Sequence, residues 1–285
     1  MRGRSFRTQS DIDRHIEKGF GQGSLECYVP WLRVQDVPSH GRSRKIQGTK
    51  VNRLHHLLSD LEYGYLLLIE FSEQVVDIRE QYPLLPQSAA QSIANSLNIA
   101  YPVYPGTKVP FVMTTDFLVT LRKPDGSERL VARTIKYTES IASGRRLERT
   151  LQKLKIEREF WKNRNIDWNV VTEENIPATL SSNLDWFRKG ATLKRELQQR
   201  ALIVNFLNEV NSMREFQWSL DRMLRSIANS LFLPYSDAKN IFMYLVWNKN
   251  ITLDLLAERL MMKSVLLIKD ILYPVEDSRH ESRAS

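Results

Sequence analysis

Two residues of a predicted β-hairpin have side chains that could act together on a phosphate ester. Asp116 lies early in the first strand, between Thr115 and Phe117, where a carboxylate has poor strand propensity. Lys136 lies in the second strand among apolar and β-branched residues. Cross-strand neighbours have Cβ atoms roughly 5 Å apart, so these two side chains can share one site. A carboxylate can hold a divalent cation, and a lysine can offset charge that develops on a phosphate.

The turn of this hairpin leaves two registers open. If the turn centres on Asp125-Gly126, Asp116 lies opposite either Thr134 or Lys136. Because Thr134 and Lys136 are two residues apart, their side chains are predicted to point to the same face. A further candidate, Glu62, lies at the flank of the apolar stripe of a preceding helix, near the predicted sheet.

Spacing alone does not establish a catalytic site. Aspartate–lysine pairs across hairpins are common, and a helical glutamate is usually solvated, so an ordinary ion pair is the alternative interpretation. Other acidic residues near Glu62 are also available, namely Asp60, Glu70, Glu73 and Glu80. The spacing therefore does not single out Glu62.

Composition limits the other kinds of chemistry. Only one cysteine is present, Cys27, which excludes an internal disulfide and a cysteine-based zinc site. The five histidines show no His-x3-His spacing. The longest strongly apolar run, residues 65–69, is too short to span a bilayer, and no apolar stretch follows the first arginines. We therefore expect a soluble, cytoplasmic protein that does not associate with a membrane.

The basic residues are concentrated near the N-terminus. The 285 residues include 41 Lys and Arg against 33 Asp and Glu, a net charge of +8. Residues 1–54 hold 11 of the basic and 5 of the acidic residues, together with Tyr28 and Trp31. This segment is predicted to be an arm that lies along a DNA backbone, with a solvated basic tail as the alternative. The candidate DNA contacts are Arg42, Arg44, Lys45, Lys50 and Arg53.

The elements that must position these residues follow an α/β pattern over residues 55–190. The predicted elements are a helix over 54–71, a strand over 75–85, hairpin strands over 113–121 and 130–137, a helix over 144–164 and a buried strand over 168–172. Residues 87–110 are predicted to be irregular, because Pro102, Pro105 and Pro110 exclude a long element. This order predicts a mixed sheet with helices packed on it.

The C-terminal part, residues 191–285, is predicted to be a separate domain. Its pattern is helical over 192–210, 219–231 and 236–248, with a short strand over 251–255. Three helices with a β element are typical of a winged-helix or related helix-turn-helix domain. The last ten residues are polar and are predicted to be disordered.

Several stretches resemble the TnsA family, the endonuclease subunits of heteromeric cut-and-paste DNA transposases. The likeness runs over about residues 20–175, and the motifs occur in the family's order. The matching stretches are GQG (21–23), YVPWLRVQDVPSHGRSRKI (28–46), HHLLSDLE (55–62), VVDIREQYPLLP (75–86), TTDFLV (114–119) and LQKLKIERE (151–159).

The resemblance implies a restriction-endonuclease-like core with a PD-(D/E)xK-type site, followed by a winged-helix domain. The family's catalytic residues fall on Glu62, Asp116 and Lys136, and Glu62 and Asp116 would hold Mg²⁺ or Mn²⁺. The family's motif usually has Glu or Gln two residues before the lysine. This chain instead has Thr134, a neighbour of the site and a poor magnesium ligand.

The resemblance also implies a function. The protein would cleave the 5′ ends of a mobile element by metal-dependent hydrolysis of double-stranded DNA. A TnsB-like DDE transposase would cut and join the 3′ ends, and a TnsC-like AAA+ ATPase would regulate both. One alternative is a catalytically weakened DNA-binding or scaffold subunit of the same complex, for which Thr134 is the only support. Another is a free-standing restriction or repair nuclease, against which stands the absence of an obvious target-recognition domain.

Overall fold

Two units make up the chain, Met1–Pro177 and Ala178–Ser285. The computed structural model describes residues 5–37, 42–143 and 147–274. The strands of the first unit are β1 (Arg44–Gln47), β2 (Leu54–Leu57), β3 (Val75–Pro83), β4 (Thr114–Arg122), β5 (Glu128–Ile135) and β6 (Asp167–Val171). Its helices are α1 (Gln9–Glu17), α2 (Asp60–Phe71), α3 (Gln87–Ser96), α4 (Thr138–Ala142) and α5 (Leu147–Lys162).

A four-stranded mixed sheet forms the centre of the first unit. Its strand order is β3-β4-β5-β6, with β3–β4 and β4–β5 antiparallel and β5–β6 parallel. Strand β4 is buried over most of its length, as its run of apolar and β-branched residues predicts. The hairpin predicted over 113–121 and 130–137 is therefore confirmed. A strand is also present where one was predicted over 168–172, but β6 lies at the edge of the sheet and only Val171 is buried, so the prediction of a buried strand was wrong.

Helices cover both faces of this sheet. On one face, Leu61, Leu66 and Ile69 of α2 pack against residues such as Phe117 and Val131. On the other face, α3 and α5 pack against Leu118 and Ala132 of the same two strands. The α/β prediction is confirmed, and the arrangement is consistent with a restriction-endonuclease-like domain.

Helix α2 is shorter than predicted, because residues 54–57 form a strand. Leu54–Leu57 pairs with β1 in an antiparallel hairpin that aligns Lys45 with His56. Ser59 then caps the helix, since its hydroxyl accepts a hydrogen bond from the main-chain N of Glu62. Leu57 is buried, as the apolar pattern predicted, but it reaches the core from a strand.

The prediction that residues 87–110 are irregular was wrong for their first ten residues. Helix α3 occupies Gln87–Ser96, with Pro86 at its N-cap position. A proline at the start of a helix costs little, because the first N–H groups have no partner within the helix. The three prolines that motivated the prediction all lie beyond the end of α3.

Most of the predicted N-terminal arm is an integral part of the first unit. Phe6, Ile12 and Trp31 share a hydrophobic cluster with Tyr104 and Val112. Tyr28, which was expected in a DNA-contacting arm, is also buried. Burial removes these aromatic rings from contact with a nucleic acid. The residues that peak in positive charge, 41–45, lie partly outside the described residues.

The second unit begins earlier than the predicted boundary between residues 190 and 191. Its helices are α6 (Ala178–Arg188), α7 (Arg200–Met213), α8 (Leu220–Ser230) and α9 (Tyr235–Trp247), and its strands are β7 (Ile251–Leu253) and β8 (Ile268–Ile271). Helix α6 belongs here because the Asn183 side chain bonds to the main chain of Leu255, Glu258 and Leu260. Strands β7 and β8 pair antiparallel. The predicted disordered tail lies outside the described residues.

Within the described ranges, no helix is long and apolar enough to cross a membrane.

Candidate active site

Asp116 lies where strands β4 and β5 stop pairing through their main chains. The register runs as far as the pair Phe117–Arg133, which favours Thr134 as the residue opposite Asp116. Beyond that pair, Asp116 Oδ2 accepts a hydrogen bond from the main-chain N of Ile135 at 2.7 Å. The carboxylate thus replaces a main-chain acceptor and is held in place by the neighbouring strand.

Lys136 completes an ion pair at this position. Its Nζ lies 3.0 Å from Asp116 Oδ2 and donates to the main-chain O of Ile135 at 2.9 Å. Burial opposes the positive charge, but the charge of Asp116 and its hydrogen bond outweigh this effect and raise the pKa of Lys136. The ammonium group therefore stays charged, fixed beside a carboxylate and half-buried.

Glu62 enters the same cluster from the first turn of α2. Its Oε2 accepts from the main-chain N of Leu58 at 2.8 Å, and its Oε1 accepts from Ser59 Oγ at 3.2 Å. Burial, followed by the negative charge of Asp116, raises the pKa of Glu62 to about 8. The structure therefore brings Glu62, Asp116 and Lys136 together.

A fourth ionisable residue, Glu157, was not singled out in the sequence. It lies on α5, and its Oε1 accepts from Thr115 Oγ1 at 2.6 Å, from Trp168 Nε1 at 3.1 Å and from the Thr134 hydroxyl. Burial raises the pKa of Glu157 to about 7, although the hydrogen bonds from Thr115 and Thr134 lower it. The negative charge of Asp116 also raises this pKa, and the positive charge of Lys136 lowers it.

A pattern in the sequence could have identified Glu157. It lies three residues after Leu154 and four before Trp161, both buried, on the inward side of α5. A carboxylate on the apolar face of a helix calls for a partner. The partner is Thr134, the residue that departs from the family's motif, so a carboxylate is present beside this position after all.

The predicted DNA contacts differ in how available they are. Arg42 and Lys45 are exposed. Arg44 is partly exposed, with its Nη2 2.6 Å from Asp60 Oδ1. Lys50 Nζ donates to the main-chain O of Ser72 at 2.6 Å.

Arg53 requires a correction. Its guanidinium group is buried and donates twice to the Glu80 carboxylate, at 2.8 and 2.5 Å. It also donates to the main-chain O of Ile78. A guanidinium group held in this way does not face solvent and is not available to a phosphate.

The cluster offers two carboxylates, those of Glu62 and Asp116, as candidate ligands of a magnesium ion. Within the described part of the chain, no group of three or more His, Cys, Asp or Glu residues is arranged to hold a metal. Mg²⁺, however, commonly binds through one or two carboxylates and keeps several waters or substrate oxygens. A cation between Glu62 and Asp116 would also offset the repulsion that raises the pKa of Glu62.

Without divalent metal, the stability of the protein should fall as the pH rises from about 5 to 8. The folded state keeps the proton of Glu62 up to about pH 8, whereas the unfolded chain releases it near 4.5. The penalty at pH 8 is about 4 kcal/mol, because the folded and unfolded pKa values, about 8 and 4.5, lie about 3.5 units apart and each unit corresponds to about 1.4 kcal/mol. Urea unfolding in EDTA should therefore show a flatter pH dependence for Glu62→Gln.

Glu157 contributes in the same direction, so the dependence should not vanish in that variant. Glu174→Gln is the matched control, because Glu174 is exposed. This control should follow the wild-type profile. An unchanged slope in Glu62→Gln would contradict the assignment of a buried, protonated Glu62.

Comparison with known proteins identifies the first unit. A family model described as TnsA-like endonuclease N terminal matches residues 72–173. The transposition protein TnsA of transposon Tn7 from Escherichia coli is 42% identical over 179 residues. That match covers 63% of this chain and 62% of the length of the E. coli protein. The resemblance seen in the motifs is therefore confirmed over this part of the chain: residues 72–173, which include Asp116 and Lys136, match the TnsA-like endonuclease N-terminal domain.

Proposed function

We propose that this protein is the subunit of a heteromeric transposase that cleaves the 5′ ends of a mobile element by metal-dependent hydrolysis. The observation that carries the proposal is the Asp116–Lys136 ion pair, with Glu62 beside it, in a TnsA-like endonuclease domain. A cluster of two carboxylates and one ammonium group suits phosphodiester hydrolysis, which needs both cation ligands and a positive group near the phosphate.

Each residue of the cluster has a separate task in this proposal. Glu62 and Asp116 would hold Mg²⁺ or Mn²⁺, which when bound polarises a phosphate and lowers the pKa of bound water. The Lys136 ammonium group would donate to the attacking water or to a phosphate oxygen and offset negative charge there. The hydrogen bonds from Leu58, Ser59 and Ile135 keep both carboxylates in position.

The alternative of a catalytically weakened subunit has less support than the sequence suggested. Its only basis was Thr134, where the family has an acid or amide. In the fold, the Thr134 hydroxyl donates to Glu157, whose charge state responds to Asp116 and Lys136. A cleavage assay on element-end DNA, with and without a partner transposase, decides between the two. Breaks at the 5′ ends with Mg²⁺, and none in EDTA, are expected; no breaks under any condition would favour the weakened subunit.

We also propose that Arg42, Arg44 and Lys45, which are exposed or partly exposed, bind the DNA backbone. Replacing Arg42, Arg44 and Lys45 together by alanine should flatten the dependence of log affinity on log salt by roughly two to three, because each phosphate contact contributes a slope of about 0.9. Fluorescence anisotropy at several salt concentrations measures it. The double variant Arg158→Ala/Lys162→Ala, which removes exposed charges of α5, is the control. An unchanged slope in the triple variant would remove these residues from the interface.

The second unit is proposed to be a winged-helix-like module that binds the TnsC-like ATPase rather than DNA. Helices α7 to α9 followed by the β7–β8 hairpin support this arrangement. Residues 191–285 carry 13 basic and 11 acidic residues, which gives little attraction for a polyanion. Large apolar side chains are exposed here, among them Phe232, Leu256 and Leu267. Retention of the protein by the ATPase should be lost in the double variant Phe232→Asp/Leu267→Asp. Retention equal to that of the wild type would show that these two side chains are not part of the contact.

A further inference from the structure

Gln81, in β3, has an unusual backbone conformation for a residue with a side chain. Its φ is 50°, in the left-handed region, and its side chain is almost completely buried. Few residues other than Gly, Asn and Asp adopt this conformation readily, and it persists where the surroundings enforce it. The β3–β4 pairs on either side of Gln81 place it across from Asp116.

The two paired strands change the face they present at this position. Phe117 packs in the cluster that contains α2. Thr115, two residues earlier, instead donates to Glu157 on α5, and Tyr82 packs against the cluster that contains α5. A regular strand keeps residues two apart on one face. Strand β4 departs from this alternation directly across from the left-handed Gln81, and a β-bulge redirects a side chain in a comparable way.

The redirected amide of Gln81 faces Glu62. Its Nε2 lies 3.5 Å from Glu62 Oε2, and its Oε1 accepts from Thr114 Oγ1 at 3.4 Å. An ionised carboxylate only accepts hydrogen bonds, so it assigns the NH₂ group of Gln81 to the side of Glu62, and Oε1 is left to accept from the threonine hydroxyl. Both contacts are long, which is common in catalytic sites without substrate. The main chain is also held, because Trp31 N donates to the O of Gln81 at 3.3 Å.

We infer that Gln81 is a positioning residue of the acidic site, whose amide holds the Glu62 carboxylate toward Asp116. The inference rests on the proposed function of the cluster. Leu58 N and Gln81 Nε2 approach the same oxygen of Glu62, one from the residue just before the N-cap of α2 and one from the sheet. Glu62 Oε2 is therefore contacted by two donors that come from different elements. Outer contacts of this kind typically change metal affinity or activity 10- to 100-fold when removed.

Two variants separate positioning from folding. Gln81→Gly removes the amide but keeps the backbone, because glycine adopts a positive φ without strain. Gln81→Met keeps the length of the side chain without its hydrogen-bonding groups. In both, the dissociation constant for Mn²⁺, measured from the EPR signal of free Mn²⁺, should rise about 10-fold or more. The kcat for element-end DNA should fall about 10- to 100-fold with KM unchanged. The circular dichroism spectra of both variants should match that of the wild type.

The matched controls lie on or just after α3. Gln91→Met makes the same chemical change outside the cluster, and Asn98→Gly makes a glycine substitution at another left-handed residue, φ 53°. Both should bind Mn²⁺ and cleave like the wild type. Wild-type binding and cleavage in both Gln81 variants would overturn the inference while leaving the proposed function intact. If the wild type itself neither binds Mn²⁺ nor cleaves, the proposed function fails and the inference fails with it.

Discussion

Asp116→Asn is expected to abolish cleavage at the 5′ ends of the element while the protein stays folded. Asparagine has the shape of aspartate and can still accept the hydrogen bond from Ile135 N, but it lacks the charge that would hold a cation and pair with Lys136. Loss of several kcal/mol of transition-state stabilisation reduces the cleavage rate by a factor of at least about 10³. Strand-specific mapping of breaks on end-containing DNA, in the presence of the partner transposase, measures the effect.

The alanine variant is less informative than the sequence suggested. A polar residue in a cleft would be expected to contribute little to stability, but Asp116 accepts from a buried main-chain N–H. Its removal by Asp116→Ala leaves that group without an acceptor, which costs about 1–3 kcal/mol. Unfolding curves should therefore separate Asp116→Ala from Asp116→Asn, although both should be inactive.

Asp125→Asn is the matched control for the active-site prediction. Asp125 lies in the exposed turn between β4 and β5, where its carboxylate bonds only with Ser127 among the contacts described. This variant should cleave normally. Lys136→Ala should instead retain metal binding and lose rate, because the ammonium group is a partner of the carboxylate and not a cation ligand. Wild-type nicking by Asp116→Asn, with an unchanged circular dichroism spectrum, would show that the site has been assigned incorrectly.

Arg53→Ala is expected to produce the largest loss of stability among the basic residues of the N-terminal segment. Among the described residues, it leaves the completely buried Glu80 carboxylate with the His55 ring and the main-chain N of His56. Breaking a buried pair by removing one partner typically costs about 3–5 kcal/mol. Burial alone would raise the pKa of Glu80, but the hydrogen bonds from Arg53 and His55 outweigh it and lower the pKa to about 2. The free energy of unfolding, from urea titration at pH 7, measures the loss.

Arg44→Ala is the control for this second prediction. Arg44 also pairs with a carboxylate, that of Asp60, but both side chains are partly exposed, so the loss should stay within about 1 kcal/mol. The stabilisation by the Glu80 pair should be present above about pH 4.5 and be lost as the pH falls toward 2, because the folded-state pKa lies below the unfolded one. Equal losses in the two variants would contradict the assignment of Arg53 to the interior.

The local elements could be predicted because their signals are local. Alternating β-branched residues on both sides of Asp125-Gly126 predict a hairpin, and the apolar spacing of residues 147–161 predicts α5. The start of α2 could not be read in this way. The apolar residues of 54–58 suit a helix as well as a strand, and pairing with β1 decided for the strand. A partner strand supplies hydrogen bonds that no spacing within one segment reveals.

The identities of Glu62, Asp116 and Lys136 came from motifs, and hairpin geometry alone could bring together only Asp116 and Lys136. The sequence by itself determined the α/β order, the concentration of positive charge and the residue types available for phosphate chemistry. Only the tertiary structure decided that Glu157 lies beside Thr134, that the guanidinium group of Arg53 pairs with Glu80, and that Gln81 faces Glu62. These contacts join residues about 20 to 30 positions apart in the chain. The charge states of Glu62, Glu80 and Glu157 depend on burial, and these carboxylates are buried only once the sheet and its helices have packed around them.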